Sequence, residues 1–464
     1  MNFDELKDEL LAVTDTGLKY AKSLDNTIEF EIFVFYQNKI NAEISQGIVT
    51  AKDGAVAGTA VRANKGKQVG FAVASGVSEE RVKLAAKEAL SIIKSVNVED
   101  DRFQGFADPQ KPGKERAYSD DILALETDDL IKSCESMIDE AKAVDERAKV
   151  ISAAIEAKWE GYSVGNSRGI LEATRSCYND CQVNVYAIEG EERRGSSDFD
   201  VAVDRVYNTD DLGKNAAEYA IGLLGAKKLD MTTKMPTIWT EIPAALFILS
   251  SLAQAAVGRP VVDGVSPLCD RIGDTIAHKD LTIIDNGQNP TGMGTESIDG
   301  EGLPQRVNPV IEKGVLKNFL FDSYFGRAFG LDSTGNCLRG GGPFGGATPY
   351  ESKPSASVKF LEVYPGKKTE EEIISSIDEK AILIRDFPLG IFHSSVETGE
   401  FSCVATSAYL VENGEIKGSV QPVSIAGSYY EGFKNLREIA NKPLALPWGI
   451  SVPTLVFDDF SVVG

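Results

Sequence analysis

The first half of this chain repeats one order of elements, helix then strands then helix, and that repetition limits the fold more tightly than composition does. Apolar residues recur at helical spacing over residues 3–24, and residues 27–75 then switch to strand alternation. Asn64-Lys65-Gly66-Lys67 supplies a hairpin turn between the apolar stretches 56–61 and 69–74, and Ser78-Glu79-Glu80 caps a helix to about Val96. A polar segment, 97–127, containing Pro109 and Pro112, reads as a linker or long loop. The second copy opens at Thr127-Asp128-Asp129, which caps a helix to about Val144; strands follow over 150–207, and Thr209-Asp210-Asp211 caps a closing helix to about Lys227.

Beyond Lys234 the texture changes to strands and glycine-rich loops, with helices expected only at 244–257 and 369–377. Hairpins are signalled by Glu312-Lys313-Gly314 and by Asn413-Gly414, each between short apolar runs. The expected class is therefore α+β. Residues 1–230 would form a domain of duplicated helix and antiparallel-sheet units, and residues 235–464 a β-rich domain.

Charge and cysteine content narrow the function classes. Lys plus Arg number 48 against 70 Asp plus Glu, a formal net charge of −22 that repels phosphate backbones and argues against direct nucleic-acid binding. The start, MNFDELKDELL, is acidic rather than basic-then-apolar, and no run of about 18 apolar residues occurs, so neither a signal peptide nor a membrane span is expected. The six cysteines show neither disulfide-framework nor zinc-ribbon spacing, and the cytoplasm is the expected compartment.

Three stretches invite a chemical reading. Gly161-Tyr162-Ser163-Val164-Gly165 and Gly165-Asn166-Ser167-Arg168-Gly169 match G-x-S-x-G, yet a second strand from Ile170 replaces the helix that a nucleophile elbow needs, so the glycines read as hairpin punctuation. Residues 338–350, LRGGGPFGGATPY, have backbone freed of side chains that can approach an anion or a substrate backbone. Arg339, Gly340, Gly341 and Gly342 are the substrate-cleft candidates, Asp299 and Glu301 candidates for bracing that loop, and a purely connecting loop is the plainer alternative. A catalytic zinc usually takes three protein ligands, commonly two from one helix. This chain has only His278 and His393 and no H-E-x-x-H; His393, Glu397 and Cys403 lie close in sequence without matching a familiar site.

Several stretches nevertheless resemble the TldD/PmbA family, once called modulators of DNA gyrase and regarded as peptidases acting as a TldD and TldE (PmbA) pair. They are Leu281-Thr282-Ile283-Ile284-Asp285, Asp299-Gly300-Glu301-Gly302-Leu303-Pro304-Gln305-Arg306, Ser333-Thr334-Gly335-Asn336, Thr398-Gly399-Glu400-Phe401-Ser402 and Pro453-Thr454-Leu455, with Val61-Arg62, Gly70-Phe71-Ala72 and Asn166-Ser167-Arg168-Gly169 in the first half. The resemblance implies that a TldD-type subunit carries H-E-x-x-x-H on a helix, with a cysteine near the C-terminus completing a zinc site. Matching Gly258 to the glycine after that helix places Leu249, Ser250 and Gln254 at the two histidines and the glutamate, and the cysteine falls near Ile439. None of these can do the family's metal chemistry. The resemblance thus implies a PmbA/TldE-type subunit with no catalytic, cofactor or metal residues of its own, paired with a TldD-like subunit that holds the zinc and handling unfolded or extended peptides. A self-sufficient homodimeric peptidase with atypical ligands, and a regulator that binds a topoisomerase or another protein, are the alternatives.

Overall fold

The structure is a computed structural model describing residues 2–95, 99–340 and 346–464. Its first half forms one antiparallel six-stranded sheet. Helix α1 (Leu6–Leu24) leads into strands β1 (Glu29–Ser45), β2 (Ile48–Lys65) and β3 (Gln68–Ser75) and helix α2 (Glu79–Ser95). After a one-turn helix α3 (Asp120–Leu123), the same order recurs as α4 (Thr127–Val144), β4 (Ala148–Asn166), β5 (Leu171–Glu189), β6 (Glu192–Ala202) and α5 (Leu212–Gly222). The strands lie in the order β3-β2-β1-β4-β5-β6, so the first strands of the two copies pair at the centre.

Strand alternation sorts this sheet into two faces. Phe30, Ile32 and Val34 of β1 pack with α1 and α2, and farther along Ala42 and Ile44 pack with α4. Glu31, Phe33 and Phe35 point the opposite way; the two phenylalanines meet Ile298, Leu303 and Tyr350 of the second half. Both faces of β1 are therefore buried along much of its length, which is why its sequence reads as a nearly continuous apolar run. The second-copy helices approach closely enough that a Cβ on Gly213 would lie 1.9 Å from Met137 O.

Segment 97–127 differs from a loose linker. Its described part is a strap tied to both halves: Arg116 donates to Met293 O at 2.8 Å and to Cys177 O at 3.0 Å, and Gly113 N and Ala117 N donate to Ser297 O and Pro290 O. Polar composition is compatible with this role because Arg116 and several backbone groups of the strap form the hydrogen bonds that hold it. Residues 96–98 lie outside the described residues.

In the second half, strand β7 (Thr232–Trp239) pairs antiparallel with the strand Leu455–Val463 and parallel with Ala381–Ile384, at the middle of the larger sheet. A second sheet is built from short strands, among them Ile283–Asn286, Val307–Glu312 and Leu361–Val363. Both signalled hairpins are present, with positive φ at Lys313 and Gly314 and at Asn413 and Gly414, as tight two-residue turns require.

The helix expected over 244–257 is broken. Helix α6 (Glu241–Ser250) stops at Ser251, whose φ of −114° and ψ of −87° leave the helical region, and α7 (Leu252–Ala255) follows. Ser251 Oγ donates back to Phe247 O at 2.6 Å, and the Ser250-Ser251 pair sits where the chain turns. Short helices also form at Gly258–Val262, Ser323–Phe329 and Tyr429–Lys434, beyond the two expected. Ser323–Phe329 is capped by Asp322 and closed by Gly330 at φ 86°; seven residues are too few for helical periodicity to declare itself.

Candidate functional site

The two halves are joined by a buried charge cluster built on Glu31. Its carboxylate takes two hydrogen bonds from Arg62, at 2.8 and 2.7 Å, and pairs with Arg339. Arg62 also reaches Glu301 at 3.1 Å, and Arg339 Nε donates to Gly300 O at 2.8 Å. The guanidiniums lie over rings, Arg62 over Phe106 and Arg339 over Phe33. Glu301 in turn accepts from Ser323 N at 2.9 Å and Ser323 Oγ at 2.6 Å. Asp299 accepts from the backbone amides of Glu301, Leu303 and Cys337, so it braces the turn that presents Glu301.

Burial acts to raise the carboxyls of Glu31, Asp299 and Asp322, and the neighbours of each decide the outcome. Glu31 ends below its ordinary value because Arg62 and Arg339 outweigh burial. Asp322, which has fewer compensating partners, is pushed up to about 7 by burial and by Glu301. Asp299 is raised for the same two reasons.

This geometry changes the role of Arg339. Its side chain is turned into the cluster and is 1% exposed, so the charge is engaged inside the protein rather than presented to a ligand. Gly340 follows it at φ 88°, a conformation that favours glycine. Gly341 and Gly342 lie outside the described residues.

The residues that the resemblance sets at a metal motif offer no donor set. Helix α6 is buried all round; Phe247 contacts the rings of Trp239, Phe401, Tyr429, Phe433 and Phe457, and Leu249, 4% exposed, belongs to the same core. Ser250 is buried, whereas Gln254 lies beyond the break at Ser251 and is exposed. Ile439 is a buried aliphatic residue. An alkyl group, a hydroxyl, an outward amide and a second alkyl group do not fit a zinc ion.

His393, Glu397 and Cys403 are not brought together as a ligand set. His393 and Glu397 are exposed, and His393 lines a cavity of about 940 Å³ with Glu400, Ser402, Glu431 and Asp458. Cys403, next in the strand Glu400–Ala405 after Ser402, points to the core, where burial pushes its thiol up to about 12. Among the described residues no group of three or more His, Cys, Asp or Glu is arranged to hold a metal ion. Ser163 is also closed off, buried in β4 with its Oγ 2.6 Å from Thr14 Oγ1; Ser167, of the second G-x-S-x-G stretch, accepts a hydrogen bond from Phe30 N at 2.8 Å in the turn between β4 and β5, where no helix follows.

A cleft of about 670 Å³ lies between the β4–β5–β6 face of the sheet and the second half. Arg193, Gly195, Ser197 and Phe199 line one side, with Tyr186 and Asn184 of β5; Ile242 at the start of α6, Phe387, Leu389, Thr406, Pro422 and Trp448 line the other. Phe387 and Trp448 meet edge to face at 6.4 Å. Sequence reading missed this cleft, whose walls come together only through tertiary packing. It also missed Glu31, although a carboxylate in phase with Phe33 and Phe35 in the run EFEIFVF was a usable signal.

Residues 232–464 match the family model described as the PmbA/TldA metallopeptidase C-terminal domain, and residues 120–224 match its central domain. A metalloprotease PmbA homolog from Haemophilus influenzae is 26% identical over 395 residues, covering 81% of this chain and 79% of the relative. A metalloprotease TldD homolog from Buchnera aphidicola is 24% identical over 433 residues, covering 88% and 86%. The crystal structure of TldE from Thermococcus kodakarensis superposes with a TM-score of 0.86 at 24% identity, over 97% of this chain and all 100% of that one. A Thermotoga maritima structure described as a candidate modulator of a DNA gyrase gives 0.85 at 21% identity, over 97% and 99%. On these matches, the chain belongs to the PmbA/TldD metallopeptidase family.

Proposed function

We propose that this chain is the TldE-type, non-catalytic subunit of a cytoplasmic metallopeptidase complex, working with a TldD-like zinc subunit on unfolded or extended peptides. The observation that carries the reading is the side-chain chemistry at the matched metal position. Leu249 is packed in the core, Ser250 is a buried hydroxyl and Gln254 faces outward past a helix break. Hydrolysis by a metallopeptidase needs a Lewis acid and an activated water. A chain that has filled this position with core packing leaves that chemistry to another subunit.

Two features of the structure are in keeping with a scaffold role. The strap and the Glu31 cluster fix the halves to one another, and a cleft of about 670 Å³ lies between the sheet of the first half and the second half. Among the described residues no helix is long and apolar enough to cross a membrane. A self-sufficient peptidase with atypical ligands, such as His393 with nearby carboxylates, is the less favoured reading, because among the described residues no group of three or more His, Cys, Asp or Glu is arranged to hold a metal ion.

Co-expression with a TldD-like chain tests the reading. Stable co-purification, with peptide hydrolysis by the pair and none by this chain alone, is expected. Hydrolysis by this chain alone, without association, overturns it.

A further inference from the structure

A smaller cavity of about 280 Å³ adjoins the cleft and shares Gln182, Phe199 and Trp448 with it; Tyr178, Asp180 and Pro447 complete its walls. Strand alternation explains the set. Cys181 and Val183 of β5 pack with the helices of the second copy, so Tyr178, Asp180 and Gln182, two residues apart, share the opposite face. Phe199 of β6 is the cross-strand partner of Gln182, and Pro447 and Trp448 come from the second half. Small-molecule pockets run to roughly 300–1,000 Å³, so this one suits a single side chain rather than a whole ligand.

Asp180 is the one charged residue among the described residues that line it. The β4–β5 register sets it directly opposite Glu156, an unfavourable like-charge pair. The neighbouring ammonium groups are engaged elsewhere: Lys39 pairs with Glu156 at 2.8 Å and Lys158 with Glu160 at 3.6 Å, and among the described residues Asp180 makes no ion pair. Burial and then Glu156 push its carboxyl up to about 7, against the opposing pull of the Tyr178 hydroxyl, Lys158 and Lys39. Those are the charged and titratable groups that face it, because the second half brings only Pro447 and Trp448 to the pocket.

Three of the six walls are aromatic, and ring faces attract cations. The Tyr178 ring already draws one ammonium, Lys158 Nζ at 5.2 Å from its centroid. A hydrated metal ion needs several oxygen ligands, which rings do not supply, whereas an ammonium on an alkyl stem uses both the carboxylate and the rings.

We propose that this pocket recognises an alkylammonium group of a peptide lying in the cleft, a lysine side chain or a free N-terminal amine, with Asp180 as its counter-charge and Tyr178, Phe199 and Trp448 around its stem. The proposal rests on the reading of the chain as part of a complex that handles extended peptides. It adds selection for one basic position within them.

The test uses the full chain and dye-labelled peptides of about eight residues, a length that spans roughly 26 Å when extended, followed by fluorescence anisotropy at about physiological salt. One peptide is acetylated and carries a central lysine, the second is acetylated with norleucine in its place, and the third has norleucine and a free N-terminus. A chain of net charge −22 attracts any cation, so the deciding variant is Asp180→Asn, which changes that excess by a single charge. It also removes a carboxylate facing Glu156, so thermal unfolding should show it no less stable than the parent chain. Trp448→Leu tests the ring.

The expected result is binding of the lysine or the free-amine peptide at least about tenfold tighter than that of the acetylated norleucine peptide. Which of the two binds tightly identifies the source of the ammonium. The preference should fall nearly to parity in Asp180→Asn, shrink in Trp448→Leu, and fade as pH is lowered through about 7, where Asp180 takes up a proton. Equal binding of all three peptides, a preference unchanged in Asp180→Asn, or absence of binding overturns the proposal. Association with a TldD-like chain is measured on the same samples. An Asp180-dependent preference without association defeats the subunit reading alone, and association without that preference defeats this proposal alone.

Discussion

Glu31→Gln is the most informative perturbation of the junction between the halves. The substitution keeps size and shape but removes the charge lying between two buried guanidiniums. The carboxylate now accepts hydrogen bonds at 2.8 and 2.7 Å from Arg62 and is paired with Arg339, while all three side chains are at most 8% exposed. A glutamine keeps one acceptor oxygen and turns an NH₂ toward a guanidinium, so at least one donor is left facing a donor. Arg62 retains Glu301 and Arg339 retains Gly300 O, which limits the damage. Breaking one side of a buried pair typically costs about 3–5 kcal/mol, a large share of the roughly 5–15 kcal/mol that holds a native protein together.

Urea unfolding followed by tryptophan fluorescence reads both halves, because Trp159 reports from the sheet of the first half and Trp239 and Trp448 from the second. The expected result is a fall in the transition midpoint corresponding to about 3–5 kcal/mol. Lys83→Ala, which breaks the exposed pair with Glu79, serves as control and should leave the midpoint nearly unchanged. A Glu31→Gln variant no less stable than that control would refute the claim that the cluster locks the halves.

Other consequences concern titration, packing and the metal position. Asp322 has its folded value raised above the unfolded one, so the native state binds the extra proton between about pH 4 and 7 and stability falls as pH rises through that window. Asp322→Asn retains a helix-capping side chain, and pH-dependent unfolding should show that part of the slope flattened and stability at pH 7.5 increased. Gly213→Ala forces a methyl group toward Met137 O, and thermal unfolding should register a loss of about 1–3 kcal/mol. Leu249→His, Ser250→Glu and Gln254→His combined would install the H-E-x-x-x-H letters that the resemblance implies for a TldD-type subunit. Because the first two sites are buried and the third lies past the Ser251 break, the variant is expected to be less stable and to gain no zinc by elemental analysis.

Local patterns carried the class of the fold. The α+β expectation matches the structure, as do the hairpins at Gly66, Gly314 and Asn413-Gly414, because helix period, strand alternation and turn chemistry are properties of neighbouring residues. What escaped the sequence was set by distant contacts or by short elements. Strands of two to six residues in the second half carry too few alternations to be distinguished from loops. The α6 break depends on where Ser251 Oγ finds an acceptor, and the strap over 99–126 is held by partners distant in sequence, such as Met293 O and Cys177 O for Arg116.

At the candidate site, residue identity was readable but orientation was not. The mismatch of Leu249, Ser250, Gln254 and Ile439 with metal ligation follows from their chemistry alone. The turn of Arg339 into the protein depends on Glu31, 308 positions away. The cleft pairs β6 with Trp448, which no local pattern connects.

The central claim, that this chain lacks the peptidase's metal, is tested most directly by elemental analysis of the purified chain after zinc exposure and removal of loosely bound ions. The account predicts near-zero zinc on this chain alone, with zinc appearing when a TldD-like chain co-purifies. About one zinc per isolated chain would contradict it.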